Sequence, residues 1–304
     1  FIGGTKMFEN KTLTVFTPVY NRIKTLPRLY ESLKNQTDKD FVWMVVDDGS
    51  VDGSDALIRE FQAEGAVDTV FIKQENGGKH VAHNRAVKEC STQLFVCLDS
   101  DDWFTADAVE FINTTHRQNA DKNCFAYISP RMGPDGNVPG KNFYEKDTFA
   151  GFHDLYPKQK YQGETMIVFV AEKLKKFAFP VFENEKFLAE NALYYQFGNP
   201  KTMFLPKSVY GFEYRSDGLS LNITDNVKKN PKGVVFNSNL TAVSDFIPFL
   251  SRVRSAANFY AFKKYFGTGD VIGEKKIPFT VAAPALILQP LLRNRIKKRF
   301  GQVK

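Results

Sequence analysis

The sequence predicts an α/β fold, a mostly parallel central sheet followed by a mainly helical C-terminal extension. In the first third of the chain short apolar runs alternate with helical stretches, the pattern of βαβ units. One run, residues 41–46, is apolar throughout, as expected of a strand covered on both faces. Beyond about residue 120 the alternation loosens into Pro- and Gly-punctuated segments and then helical stretches.

In chain order, residues 13–17 read as the first strand and 26–35 as the helix after it. The second strand, 41–46, stops at Asp47-Asp48-Gly49-Ser50. Residues 54–64 read as a helix, 69–72 as a third strand, and 81–90 as a helix opened by Asn76-Gly77-Gly78. The fourth strand, 94–98, again ends in acids, Asp99-Ser100-Asp101-Asp102, with Asp102 reading as a cap for the helix that follows. Later, 166–171 is the one strand candidate; 185–196, 240–266 and 281–300 look helical, the last broken by Pro284 and Pro290.

A chain of 304 residues accommodates one α/β core with an appended subdomain. Composition is ordinary for a globular protein, 43% apolar and 25% charged, and most of the 29 Phe and 12 Tyr are expected in the core. Cys90, Cys97 and Cys124 lack metal-type spacing and leave an odd thiol, which favours a reducing, cytoplasmic location over a disulfide framework. The first residues lack the apolar core of a signal peptide and read as an irregular, tag-like stretch. The net charge of +7 is concentrated: after Glu274 there are eight basic residues and no acidic one, so the body is close to neutral. That argues against an extended nucleic-acid surface, which would spread over a face or groove.

Acids at the ends of two strands of an open α/β sheet should share one cleft, because ligands bind outside the carboxyl ends of the strands. One such Asp alone is usually a turn or cap residue. Two clusters repel unless a positive group sits among them, and a divalent cation with a pyrophosphate is the obvious occupant.

Four segments carry a resemblance. Thr17-Pro18-Val19-Tyr20-Asn21-Arg22, Val46-Asp47-Asp48-Gly49-Ser50-Val51-Asp52-Gly53-Ser54, Asn76-Gly77-Gly78-Lys79-His80-Val81-Ala82-His83-Asn84-Arg85-Ala86 and Leu98-Asp99-Ser100-Asp101-Asp102 resemble, in order and spacing, the successive motifs of family 2 glycosyltransferases. That resemblance implies the GT-A nucleotide-sugar-binding fold over residues 11–220, with the donor side at 11–105 and the acceptor side at 106–220. Residues 1–10 precede it, and 221–304 form the helical extension.

It also implies site roles. The loop Pro18 to Arg22, with Thr17, Tyr20 and Asn21, would wrap the nucleotide base; Asp47 or Asp48, beside Gly49, would accept from the base N–H, which favours UDP. Lys79 and Arg85 would contact the diphosphate and Asn84 the base or ribose. In the triplet resembling the DxD motif, Asp99 and Ser100 would face the donor, and Asp101, with Asp99, would ligate Mn²⁺ or Mg²⁺. The general base of an inverting transfer would lie at the start of a downstream helix, often as a Glu-Asp pair. Here the second position of the pair is Asn191, so Glu190 takes the role, with Glu185 and Glu183 as rivals.

Tyr214-Arg215-Ser216-Asp217-Gly218-Leu219-Ser220 and Lys228-Lys229-Asn230-Pro231-Lys232-Gly233 resemble segments of bacterial enzymes that build surface glycans, implying a glycan or polyprenyl-linked acceptor. Residues 281–304, apolar and then basic, are too short to span a bilayer but suit an anionic membrane surface, which would place the protein on the inner face of the cell membrane. A sugar-nucleotide pyrophosphorylase is the rival enzyme reading, although residues 18–22 supply no Gly-rich phosphate loop. A non-catalytic glycan-binding protein is the rival from another class and would need no metal–carboxylate set. The sequence sets no oligomeric state.

Overall fold

The structure is a computed structural model that describes residues 10–213 and 223–300. The chain divides into two compact units, Phe1–Lys176 with Asn199–Tyr214, and Phe177–Gly198 with Arg215–Lys304. Residues 177–198, which the sequence grouped with the first part of the chain, cluster with the C-terminal helices.

The first unit is built on strands β1 (Leu13–Val19), β2 (Phe41–Asp47), β3 (Thr69–Lys73) and β4 (Leu94–Cys97), which pair in parallel in the order β3-β2-β1-β4. Every residue of β2 is buried, which is why that run carries no polar alternation. Helix α1 (Leu26–Lys34) buries Leu26, Leu29, Tyr30 and Leu33, the spacing of one helical face. Tyr30 stacks on Phe61 at 4.0 Å, and the buried Trp43 indole donates to Thr17 Oγ1 at 3.0 Å. Helices α2 (Ser54–Glu64) and α3 (Lys79–Glu89) complete the βαβ pattern.

The sheet continues with five strands the sequence did not signal and one, β8, that it placed at 166–171. After β5 (Trp103–Phe104) and α4 (Ala108–Asn119) come β6 (Ala126–Met132), β7 (Thr148–Gly151), β8 (Thr165–Val170), β9 (Lys201–Phe204) and β10 (Tyr210–Gly211). β8 inserts antiparallel between β4 and β6, and β10 pairs with both β6 and β5. Asp102 does not cap α4, which starts at Ala108 after Asp107; the Asp102 side chain is drawn inward instead.

In the second unit the predicted helix over 185–196 reduces to α6 (Asn191–Tyr194) and a 3-10 turn, Tyr195–Phe197; α5 (Ala171–Leu174) belongs to the first unit. The reason is that the chain before α6 is held by long-range bonds. Glu185, a base candidate, accepts the N–H groups of Lys232 and Gly233 at 2.7 and 2.8 Å, and Asn230 Oδ1 accepts those of Lys186 and Phe187 at 2.7 and 2.9 Å. The predicted helix over 240–266 is two: α8 (Pro231–Val243), preceded by α7 (Ile223–Lys229), and α9 (Phe249–Phe266), with Pro248 at the start of the latter. α10 (Phe279–Phe300) is continuous, and Pro284 and Pro290 lie inside it rather than breaking it. It packs against α9, with Ile296 and Phe300 clustered on Ala261.

Candidate active site

The C-terminal ends of β1, β2, β3 and β4 lie on one edge of the first unit's sheet, and the four motifs follow those ends. Hydrogen bonds join them pairwise. The first motif binds the second: Asn21 N–H donates to Ser50 Oγ at 2.9 Å, Val51 N–H to Asn21 Oδ1 at 2.9 Å, Arg22 N–H to Ser54 Oγ at 2.9 Å and Ile23 N–H to Asp52 Oδ2 at 3.0 Å. Asn21 sits at φ 54°, a left-handed conformation that asparagine tolerates better than most residues.

The second motif binds the third through Asp48. Its Oδ1 accepts Gly77 N–H at 2.9 Å and Gln74 Nε2 at 2.7 Å, and its Oδ2 accepts Gly78 N–H at 2.7 Å. Gly49 has φ +81°, and a Cβ there would lie 3.1 Å from the Asn76 nitrogen, so this close approach requires glycine. Asp47 is fully buried; its Oδ1 accepts Ser50 N–H at 3.0 Å, and among the described residues its Oδ2 has no hydrogen-bond partner, with Lys73 Nζ 3.9 Å away.

The third motif meets the fourth where Lys79 Nζ lies 2.7 Å from Asp99 Oδ1. Arg131, on β6, donates from Nη1 to Asp102 Oδ2 at 3.3 Å, lies 3.8 Å from Asp99 Oδ2 and stacks 4.0 Å over the Tyr210 ring. The Tyr210 hydroxyl donates to Asp102 Oδ2 at 2.8 Å and accepts Asp99 N–H at 3.0 Å. Burial alone would raise the Asp99 pKa, but the cations Lys79 and Arg131 outweigh it and hold the carboxyl below its ordinary value. Burial, and then the charge of Asp99, push Asp102 up to about 7 against the pull of Arg131. The hydroxyl of the fully buried Tyr210 is raised well above its usual value, chiefly by burial.

Asp101 is half-buried, and its carboxylate makes no hydrogen bond or ion pair among the described residues. Its backbone carbonyl accepts from Arg28, whose guanidinium stacks on Trp103 at 4.3 Å and pairs with Glu213 at 3.1 Å. Among the described residues no three His, Cys, Asp or Glu side chains form a metal-binding group. The donors fit a hard cation that takes only one or two carboxylates from the protein and the rest of its shell from phosphate and water.

The remaining sequence-chosen residues fall into three groups. Pro18, Tyr20, Arg22, Asn84 and Ser100 lie with the four motifs, Tyr20 exposed and Ser100 buried. Thr17 is turned into the core beneath Trp43, and Arg85 lies on the outer surface of α3, paired with Glu89 at 3.1 Å. In the second unit Glu190 and Glu183 are exposed, Glu190 at the head of α6 with Tyr194 donating to it at 3.4 Å. Glu185 is buried against the α8 N-terminus; burial raises its pKa against the two N–H groups it accepts. The segment 214–220 lies outside the described residues. Sequence reasoning missed Arg131 and Tyr210; the one signal for Arg131 was a lone charge in the otherwise apolar or neutral run 125–132.

Comparison with known proteins identifies the family and the fold. The family model "Glycosyl transferase family 2" matches residues 14–177. Glycosyltransferase GlyA of Streptococcus pneumoniae serotype 4 is 29% identical over 227 residues, 70% of this chain and 32% of that protein. The chain thus spans about a third or less of the length of the curated relatives it matches. Among solved structures, S. aureus TarS 1–349 in complex with UDP-GlcNAc superposes with TM-score 0.63 at 18% identity, over 95% of this chain and 89% of that one. Mannosyltransferase PcManGT from Pyrobaculum calidifontis, with GDP-Man and Mn²⁺, gives 0.55 at 14% identity, over 96% and 86%. With its four motifs laced along one sheet edge and the family model matched over more than half its length, the chain belongs to the family 2 glycosyltransferases.

Proposed function

We propose that the protein is an inverting, metal-dependent glycosyltransferase that moves a sugar from UDP to a hydroxyl of a glycan or polyprenyl-linked glycan in bacterial surface polysaccharide synthesis. The observation that carries the reading is the uncommitted carboxylate of Asp101 beside Asp99, at the sheet edge of a family 2 chain. TarS, which shares the fold, was solved with UDP-GlcNAc, and PcManGT with Mn²⁺, which supports a nucleotide sugar and a divalent cation here.

Asp101, with Asp99, would hold Mn²⁺ or Mg²⁺. Such a cation supplies Lewis-acid stabilisation of the charge that develops on the departing diphosphate. The protein's own part is positional. Asp47 or Asp48 reads the base imide, while the loop 18–22 and Asn84 enclose the nucleoside. Lys79, now on Asp99, can turn to the diphosphate, and Arg131 with Tyr210 keeps Asp102 and the Asp99 backbone fixed so that the turn holds its shape. Glu190 removes the acceptor proton as the hydroxyl attacks; Glu185 is committed to the α8 N-terminus, and Glu190 rather than Glu183 heads a helix. We assign the donor side to 11–105, the acceptor side to 106–220 and the helical extension to 221–304.

Incubating the protein with UDP-sugars, with and without Mn²⁺, and measuring UDP release tests the proposal. Metal-dependent release without added pyrophosphate is expected. A requirement for pyrophosphate would indicate the pyrophosphorylase reading, and no turnover with tight glycan binding would indicate a binding module.

A further inference from the structure

No described helix is long and apolar enough to cross a membrane, yet α10 leaves much of its apolar surface uncovered. Val281, Ala285, Ile296 and Phe300 are buried on one side. On the rest of its circumference Phe279 is 84% exposed, Ile287 79%, Leu291 65% and Leu286 55%. Phe249 and Leu250, the first two residues of α9, are exposed as well. Isolated exposed apolar residues need no explanation, but five on one helix, Leu288 at 40% among them, form a patch that ordinarily has a partner.

The charge around the patch selects the partner. Neither α9 nor α10 contains an acidic residue, while α10 ends in Arg293, Arg295, Lys297, Lys298 and Arg299. Asp270 and Glu274, in the connection before α10, are both paired with Lys263, at 2.7 and 2.8 Å. A protein partner would match both halves of the helix only if it set an acidic surface beside an apolar one. An anionic bilayer matches both halves of the helix, apolar residues entering the acyl boundary and basic ones meeting the headgroups.

We propose that α10 is a peripheral membrane-docking helix, lying in the plane of an anionic lipid surface with Phe279, Leu286, Ile287 and Leu291 inserted and Lys297 and Lys298 on headgroup phosphates. This goes beyond the transfer reaction and stands or falls without it.

The test is co-sedimentation of the 304-residue protein with vesicles of phosphatidylglycerol and phosphatidylcholine, and with phosphatidylcholine alone. The variants are Ile287→Ser/Leu291→Ser and Lys297→Gln/Lys298→Gln, with far-UV circular dichroism melts and light scattering on each. Binding to the anionic vesicles should exceed binding to the neutral ones, and each pair should weaken it by roughly tenfold or more while the melts stay cooperative. The proposal is overturned if the parent binds neither vesicle, if it binds both equally, or if a pair that stays folded leaves binding unchanged. It is equally overturned if the parent is a dimer that Ile287→Ser/Leu291→Ser converts to a monomer, because the face then belongs to a second copy.

Discussion

At the end of β2, Asp48 and Asp52 accept backbone N–H groups from neighbouring loops, and Asp47 accepts one from its own turn. At the end of β4, Asp99 and Asp102 face the cations Lys79 and Arg131, and the Asp101 carboxylate is uncommitted among the described residues. Both clusters look alike as strings of acids after an apolar run. The fold makes the first a fastening between loops and the second a charged site, and what separates them is the set of groups brought opposite each acid. The downstream acids divide the same way: Glu185 fastens the α8 N-terminus, while Glu190 is exposed. Substitutions in the two kinds of acid should therefore fail differently, those in the charged site in activity alone and those in the fastenings in stability, with donor affinity lost alongside.

The largest effect is expected at Asp101. Asp101→Ala should lower metal-dependent transfer by about 10³-fold or more, since the cation's charge stabilisation is worth several kcal/mol. Urea unfolding should change by no more than about 0.5 kcal/mol, because no side-chain bond is lost. Glu190→Gln should lower turnover by about 10²–10⁴ while donor affinity stays within a few-fold, the result of removing a positioned base but not its size. Parallel Glu183→Gln and Glu185→Gln proteins serve as controls; retained activity in Glu190→Gln with loss in Glu183→Gln would move the base.

Asp48→Ala should show the opposite signature. It strips acceptors from the buried N–H of Gly78 and from that of Gly77, at about 1–3 kcal/mol for each unsatisfied group, so the urea midpoint falls sharply and donor affinity falls with it. Intact stability in this variant would contradict the fastening role.

The smallest effect is at Asp52 and is set by pH. Burial acts to raise its pKa, but the Ser54 hydroxyl and the N–H groups of Ile23 and Ser54 outweigh it, and the folded-state value lies below 3.8. A depressed folded value means that ionised Asp52 stabilises the fold above the unfolded value of 3.8, and that this contribution disappears as pH falls through the folded value. Asp52→Asn should thus cost about 1 kcal/mol at neutral pH and progressively less below about pH 4, read from urea midpoints across pH.

Much of the first unit was legible because its four parallel strands are local apolar runs with local punctuation, and the motifs sit where those runs end. The second half of the sheet was not, since β5, β9 and β10 are two or four residues long and exist only through pairing with distant partners. The same limit hid Arg131 and Tyr210, whose importance depends on the pairing of Tyr210 with Arg131 in the β10–β6 register. It also misled the reading of 185–196 as a helix: helical propensity there is overruled by Glu185 and Asn230, bonds spanning more than forty residues. Asp47 and Asp48 could not be told apart in sequence, because only their partners differ.

The central claim, that the acids ending β4 form a cation-dependent donor site, is tested most directly by calorimetric titration of UDP into the protein with and without Mn²⁺. Two phosphates facing Asp99 and Asp101 form a like-charge cluster unless a cation intervenes. The account predicts measurable UDP binding with Mn²⁺ that weakens strongly when the metal is chelated, and no gain from Mn²⁺ in Asp101→Ala. Equal UDP affinity with and without metal in the parent protein would contradict it.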